Sequence, residues 1–317
     1  MSGIAIFFLV LFILIGIILL FTVPHFGIVV LMCCLVYYCT LDECDMHPEY
    51  GYCMENAASS GRFGDVYRGL KRGGDAFKKV RNKSLLELAI DNNHTPSVRF
   101  LIDKGLEIKA NMYLAADKVS ESILNLLLKT KKNMDVALIY AARENRKGLI
   151  EKLLNNGAKI DFQDKFGDTA FMISIDKGFL LQTETIFNHK PALNIRNKKG
   201  ETALIKAVKQ SWDMTCEKML SSGAKPNIAD NKGWTPLFYA TEKNNMNIVR
   251  LLVKKGANVK QKDKKGELPV MNATDLKIVK YLKKAGSPIP EELSDRIVNK
   301  NPDLFKNEEY LEFFYSD

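Results

Sequence analysis

The chain has 317 residues, with 46 Lys and Arg against 37 Asp and Glu, and a formal net charge of +9. Its six cysteines form no Cys-x-x-Cys pair and its four histidines lack metal-ligand spacing, which excludes the usual disulfide frameworks and zinc sites. It contains no nucleophile, metalloprotease or phosphate-binding motif, so the sequence predicts no enzyme, no metal, no cofactor and no small-molecule substrate.

The N-terminal segment before Asp42 carries no Asp, Glu, Lys or Arg. Within residues 4–22, every side chain except Ala5, Gly16 and Thr22 is Ile, Leu, Phe or Val. At about 1.5 Å per residue a helix over this run matches the ~30 Å hydrocarbon core, which predicts a transmembrane helix. A cleaved signal peptide is the alternative. It is disfavoured because no basic residue precedes the run and no Ala-x-Ala site follows it.

A second apolar run covers residues 26–40 and follows Pro24, which lacks a backbone donor and favours a turn. This run predicts either a second transmembrane helix or a helix lying in the membrane interface. Basic residues begin only at Arg62, which predicts a cytoplasmic C-terminal body after a linker over residues 42–49. Three nearby cysteines are candidates for oxidation or for acylation, depending on the compartment: Cys39, Cys44 and Cys53.

Four segments in the second half of the chain align without gaps at a constant period, each with a glycine at the same position: Gly167, Gly200, Gly233 and Gly266. A second glycine, at Gly223 or Gly256, closes the amphipathic run that follows and suits a left-handed helix terminus. The pattern predicts pairs of short helices. Three threonines are predicted N-caps of the first helices: Thr169, Thr202 and Thr235. Cys216 takes the place of an apolar residue and is predicted to lie in the core.

The best unit, GWTPLFYATEKNNMNIVRLLVKKGANV over residues 233–259, closely resembles the ankyrin repeat. The resemblance implies an all-α ankyrin-repeat solenoid of helix-turn-helix pairs with hairpin loops over residues 50–290, preceded by one or two transmembrane helices. Small residues that let neighbouring repeats approach indicate eight repeats, at positions 57, 89, 115, 141, 174, 207, 240 and 273. Four residues replace the family's motif histidine, so its hydrogen bonds are not expected: Met172, Ile205, Phe238 and Met271. Residues 291–317 predict a C-terminal helical cap.

Proteins of the ankyrin family bind partners with their hairpin tips and the inner face of their first helices, so the resemblance implies a protein partner and no catalysis. The corresponding positions are basic and partly aromatic: Lys198, Lys199, Asn231, Lys232, Trp234, Tyr239, Lys264 and Lys265. We expect this surface to recognise an acidic protein segment, with lysines steering and aromatic residues anchoring. In the alternative, the lysines only keep this edge soluble and Trp234 packs on its neighbour.

Together these observations predict a membrane-anchored scaffold for protein–protein interaction. The first alternative is an exported or secreted ankyrin-repeat effector whose N-terminus is a transport signal. The second alternative is a nucleic-acid-binding protein, because the net charge of +9 suits a polyanion. It is disfavoured because the basic face lacks the interleaved aromatic residues of single-strand binding platforms.

Overall fold

The computed structural model describes residues 57–58, 61–71, 75–77, 79–80, 82–300 and 308–315. The predicted transmembrane helix over 4–22, the second run over 26–40 and the linker over 42–49 lie outside these residues. Within the described ranges, no helix combines the length and the apolar character needed to cross a bilayer. The chain divides into two compact units, Met1–Lys132 and Asn133–Asp317.

The described residues of the first unit form short helices and one small hairpin. The helices are α1 (Phe63–Lys71), α2 (Leu85–Asp91), α3 (Thr95–Asp103), α4 (Ala110–Val119) and α5 (Glu121–Thr130). Strands β1 (Lys79–Val80) and β2 (Lys83–Ser84) pair antiparallel just before α2. Helix α2 starts with a capping box, in which the side chains of Ser84 and Glu87 each accept a hydrogen bond from the other's backbone amide. Helix α2 packs on α3 and α4 packs on α5, so each pair shields apolar side chains from water.

The second unit repeats a helix-turn-helix arrangement. Its first and second helices alternate along the chain: α6 (Met134–Arg143) and α7 (Lys147–Asn155), α8 (Ala170–Asp176) and α9 (Leu180–Asn188), α10 (Ala203–Lys209) and α11 (Asp213–Ser221), α12 (Pro236–Glu242) and α13 (Met246–Lys254). A 3₁₀ helix (Pro269–Asn272) then precedes α14 (Leu276–Lys284), α15 (Glu292–Lys300) and α16 (Glu308–Tyr315). The first helix of each pair packs on the first helix of the next pair, so the pairs stack in chain order.

Seven of the eight small residues predicted at contacts between repeats are buried: Ala57, Ala89, Ala141, Ser174, Ala207, Ala240 and Ala273. At the eighth position Ala115 is half-buried and the neighbouring Ala116 is fully buried, so the sequence prediction is wrong by one residue. The phase of α4 is set by Tyr113, which is fully buried and donates a hydrogen bond to the backbone oxygen of Lys132 at 2.6 Å. Ala116, three residues further on, shares that inward face.

All three predicted threonines stand at the N-caps of first helices, and two of them make the predicted side-chain hydrogen bond. Thr169 and Thr202 accept hydrogen bonds at 3.3 Å from the backbone amides three residues further on. Thr235 makes no such side-chain bond, because the amide of Phe238 instead donates to the backbone oxygen of Thr235 at 3.0 Å. Thr235 therefore stands at the N-cap of α12 as predicted, but the side-chain hydrogen bond predicted for it is absent.

The first helix of the last pair is reduced to a 3₁₀ turn over Pro269–Asn272. Pro269 occupies its first position, and Asp275 already caps α14 by accepting a hydrogen bond from the amide of Lys277 at 2.8 Å. Only Ala273 and Thr274 separate the 3₁₀ helix from this cap. The short connection leaves no room for a further α-helical turn.

The residues after the last pair add two helices to the second unit. Leu293 and Ile297 of α15 are buried, as is Tyr310 of α16. Arg296 of α15 forms an ion pair with Glu267 at 2.5 Å, which connects this helix to the last hairpin segment. Cys216 on α11 is also buried, as predicted, and burial raises the pKa of its thiol to about 12. The protonated thiol is the unreactive form, so Cys216 acts as an apolar residue of the core.

Candidate partner-binding surface

Each hairpin tip of the second unit begins with an Asp or Asn that holds the turn after it. At the third tip, Asp230 Oδ1 accepts hydrogen bonds from the backbone amides of Lys232 at 2.8 Å and Trp234 at 3.0 Å. The same pair of bonds, to the second and fourth residues on, is made at the other tips by Asp164, Asn197 and Asp263. The acidic residue of a tip is therefore occupied by its own turn.

Main-chain hydrogen bonds join each tip to the next one. An amide of one tip donates to a carbonyl oxygen of the preceding tip at 2.9 to 3.1 Å: Lys198 to Phe166, Asn231 to Lys199, and Lys264 to Lys232. The periodic glycines permit this approach. A Cβ atom at Gly233, where φ is +86°, would lie 2.8 Å from the backbone nitrogen of Lys264. The glycine is thus needed both for its backbone conformation and for the close contact between tips.

The joined tips carry a row of exposed lysines, which we call the lysine edge: Lys165, Lys198, Lys199, Lys232, Lys264 and Lys265. Five of these lysines were singled out in the sequence. Lys165 was missed, although it stands at the same distance before its tip glycine as Lys198 and Lys264 do. Asn231 is exposed as well, and its side-chain amide donates to the backbone oxygen of Lys198 at 2.8 Å.

The two aromatic residues of the predicted site are held inside the unit. Trp234 is half-buried, stacks on Phe238 with ring centroids 5.6 Å apart, and donates from Nε1 to Asp263 Oδ2 at 2.9 Å. Tyr239 is buried, and its hydroxyl donates to Asp230 Oδ2 at 2.6 Å. Burial and this bond to a carboxylate raise the pKa of Tyr239. Both rings therefore connect tips and first helices within the unit. Tyr239 is almost entirely inaccessible to a partner.

A lysine that the sequence analysis did not single out is buried among three carboxylates. Lys206 exposes 4% of its side chain, and its Nζ lies 3.2 Å from Asp168 and 3.8 Å from Glu201 and also bonds Asp176. Two of these acids belong to the preceding helix pair, so the cluster connects neighbouring pairs. The repeat alignment is the signal that was available, because the repeats on either side have isoleucine and tyrosine at this position.

Opposite charges stabilise one another in this cluster. Burial lowers the pKa of Lys206, but the hydrogen bond and charge of Asp176, followed by the charges of the other two acids, outweigh it, and the pKa is raised. Burial raises the pKa of Glu201, but hydrogen bonds from Lys209 and Asn197 and the lysine charges outweigh it, and the pKa is lowered. The lysine and the carboxylate are thus both charged at neutral pH, and they serve the stacking of the pairs.

A family model described as ankyrin repeats in three copies matches residues 138–230 and again residues 211–291. No match was found among the curated proteins with which the chain was compared. The matched residues run from within α6 to the segment after α14, and they include all four joined tips. The second unit therefore contains ankyrin repeats, which confirms the class of repeat that the sequence predicted there. Such repeats typically serve protein–protein interaction and present extended binding surfaces.

Proposed function

We propose that this chain is a membrane-anchored scaffold whose ankyrin repeats hold a protein partner along the lysine edge. The arrangement of charge at the joined tips carries the proposal. The lysines are exposed, whereas the aspartates that begin three of the tips, Asp164, Asp230 and Asp263, accept hydrogen bonds from the turns that follow them. Main-chain bonds between tips fix the order of the lysines, so the positive row exists before a partner arrives.

The partner that fits this row is an acidic protein segment lying across several tips. An exposed ion pair contributes at most about 1 kcal/mol, so several lysines must act together. Their combined field speeds encounter with an acidic partner, and added salt weakens it because the Debye length is about 8 Å at physiological ionic strength. Trp234 and Tyr239 support the edge from within and do not insert into the partner.

The membrane anchor is proposed from the uncharged run over residues 4–22, and the cytoplasmic orientation from the basic residues that follow it. We also propose that the helix pairs of the first unit are further ankyrin repeats, which gives eight in all. Protease added to intact cells is expected to leave the repeats uncut until the membrane is permeabilised. For an exported effector, N-terminal sequencing would instead show that residues 1 to about 40 are missing from the mature protein.

Reversing charge on the lysine edge is expected to abolish partner capture. The variant K199E/K232E/K265E changes one exposed lysine at each of three tips, and we expect it to retain less than about a tenth of the captured partner. Pull-down with the full chain, followed by quantitative mass spectrometry, measures the difference. The matched control is K177E/K225E/K254E, which makes the same change in net charge at exposed lysines outside the edge. Equal capture by the two variants would disprove the site.

A further inference from the structure

A second surface lies on the second helices of three successive pairs. Leu181 on α9 and Met214 on α11 expose 71% and 75% of their surface, and the neighbouring Leu180 exposes 59%. Leu181 and Met214 are one repeat period apart and so occupy equivalent positions. The equivalent residue on α7 is Gly148. A Cβ atom added to this glycine would have no other atom within 4 Å. An apolar row with a gap at one end therefore crosses α7, α9 and α11.

An acidic row runs beside this apolar row. Three residues after each of its members comes an exposed glutamate: Glu151, Glu184 and Glu217. Residues three apart on a helix lie on the same face, with Cβ atoms about 5 to 6 Å apart. Glu184 forms an ion pair with Lys218 of the next second helix at 2.7 Å, so its charge is used to connect α9 and α11. We call these two rows together the outer surface.

The stability of the repeats does not account for this composition. Large apolar side chains with more than half of their surface in water gain little from folding, and contiguous ones typically mark interaction sites. Gly148 in the first turn of α7 is a poor helix former, at a cost of about 1 kcal/mol relative to alanine. The exposed apolar side chains and the helix glycine thus occupy equivalent positions in the same row. A glycine here leaves space for a large side chain or for the backbone of a partner.

We propose that the outer surface binds an amphipathic helix of a protein partner. The apolar face of that helix covers Leu180, Leu181 and Met214, and its Lys or Arg side chains face Glu151 and Glu217. Neighbouring helices in the stack are about 8 to 10 Å apart, which matches two turns of a crossing helix at about 1.5 Å per residue. Apolar residues at positions i and i+7 of the partner would therefore meet Leu181 and Met214, and a bulky residue one repeat earlier would fill the space at Gly148.

The glutamate row decides between a protein helix and a lipid bilayer as the occupant. A surface that inserts apolar side chains into a membrane places basic residues against the anionic headgroups. Here Glu151 and Glu217 lie beside the apolar row and would be pressed against negative charge, and the nearby Lys218 is already paired with Glu184. A basic amphipathic helix satisfies both rows. The proposal is separate from the lysine edge, which has the opposite charge.

A designed peptide tests the outer surface directly. The probe is a fluorescent helical peptide of about 18 residues, long enough to cross three helices, with leucines along one face and lysines beside them. Its fluorescence anisotropy is measured with the full chain in nanodiscs of zwitterionic lipid, and empty discs give the background. We expect L181S/M214S to raise the dissociation constant about tenfold to a hundredfold, because exposed apolar contacts are lost. Both residues are exposed, so circular dichroism should show unchanged folding.

Reversing the charge of the glutamates tests whether they contact the basic residues of the peptide. The double variant E151K/E217K, which leaves the ion pair between Glu184 and Lys218 intact, is expected to reject the basic peptide and to prefer a second peptide in which glutamates replace the lysines. The variant K199E/K232E/K265E should bind the basic peptide as the wild type does. The proposal is overturned if the wild type does not bind the basic peptide, if L181S/M214S binds it unchanged, or if charge reversal leaves the preference unaltered. It is also overturned if L181S/M214S affects only binding to lipid.

Discussion

Replacing Gly233 with alanine is expected to lower the free energy of unfolding of the second unit by about 2 to 5 kcal/mol, whereas Gly266→Ala costs about 1 to 2 kcal/mol. Both glycines have positive φ, +86° and +82°, so both variants strain the backbone. At Gly233 the new Cβ would also lie 2.8 Å from the backbone nitrogen of Lys264. The next tip must move, and the bond from Lys264 to Lys232 is lost. Gly266 has nothing within 4 Å.

Tryptophan fluorescence during urea unfolding of the full chain measures this difference. The chain has two tryptophans, Trp212 and Trp234, and both lie in the second unit. The signal therefore reports on the repeats that contain the joined tips. Gly266→Ala is the matched control, because it has the same backbone strain without the contact. If both variants lowered the unfolding midpoint equally, the close approach between tips would contribute nothing to stability.

Replacing Lys206 with methionine is expected to destabilise the second unit by about 3 to 5 kcal/mol at neutral pH, because removing one member of a buried ion cluster leaves uncompensated charge. Methionine retains most of the apolar stem but leaves Asp168 and Glu201 without their shared cation. The control is Lys209→Met, which removes a half-exposed partner of Glu201 and should cost less than Lys206→Met, because Lys206 still faces that carboxylate and the two aspartates. Urea unfolding followed by fluorescence measures both variants.

The cost of this replacement is expected to depend on pH. The pKa of Glu201 is lowered, so in the wild type its contribution to stability is present above its ordinary value of 4.5 and is lost as the pH falls below it. The pKa of Lys206 is raised, so its contribution is present below 10.5 and is lost as the pH rises through the higher folded value. In Lys206→Met, Glu201 loses one of the lysine charges that lower its pKa. The deficit should therefore shrink as the pH falls below 4.5, and an unchanged deficit would show that Glu201 does not need Lys206.

The repeat in the second unit was predictable because its determinants recur at fixed positions. The glycines of the joined tips need positive φ, and Thr169 and Thr202 sit where a helix begins, so a gapless alignment reveals both. Ala115 shows where this method fails. In that shortened repeat the spacing no longer fixes the helical phase, and the burial of Tyr113 makes Ala116 the contact residue.

The candidate surface was predictable only for residues defined by their distance from a tip. The lysines follow that rule, and all five predicted lysines are exposed. The surroundings of Trp234 and Tyr239 depend on how the chain folds back, because Asp263 is 29 residues after Trp234 and Asp230 is nine residues before Tyr239. Residue type alone suggested anchors for a partner. The carboxylates that hold these rings become visible only when the pairs are stacked.

The amide-to-carbonyl bonds that join one tip to the next use no lysine side chain. The six lysines of the edge can therefore be exchanged one by one without loosening these bonds, provided that the tip glycine is kept. Binding preference and architecture are separable here. A library that randomises the six lysine positions should retain the fold in most of its members, and it offers a route to redirect this protein towards a chosen target.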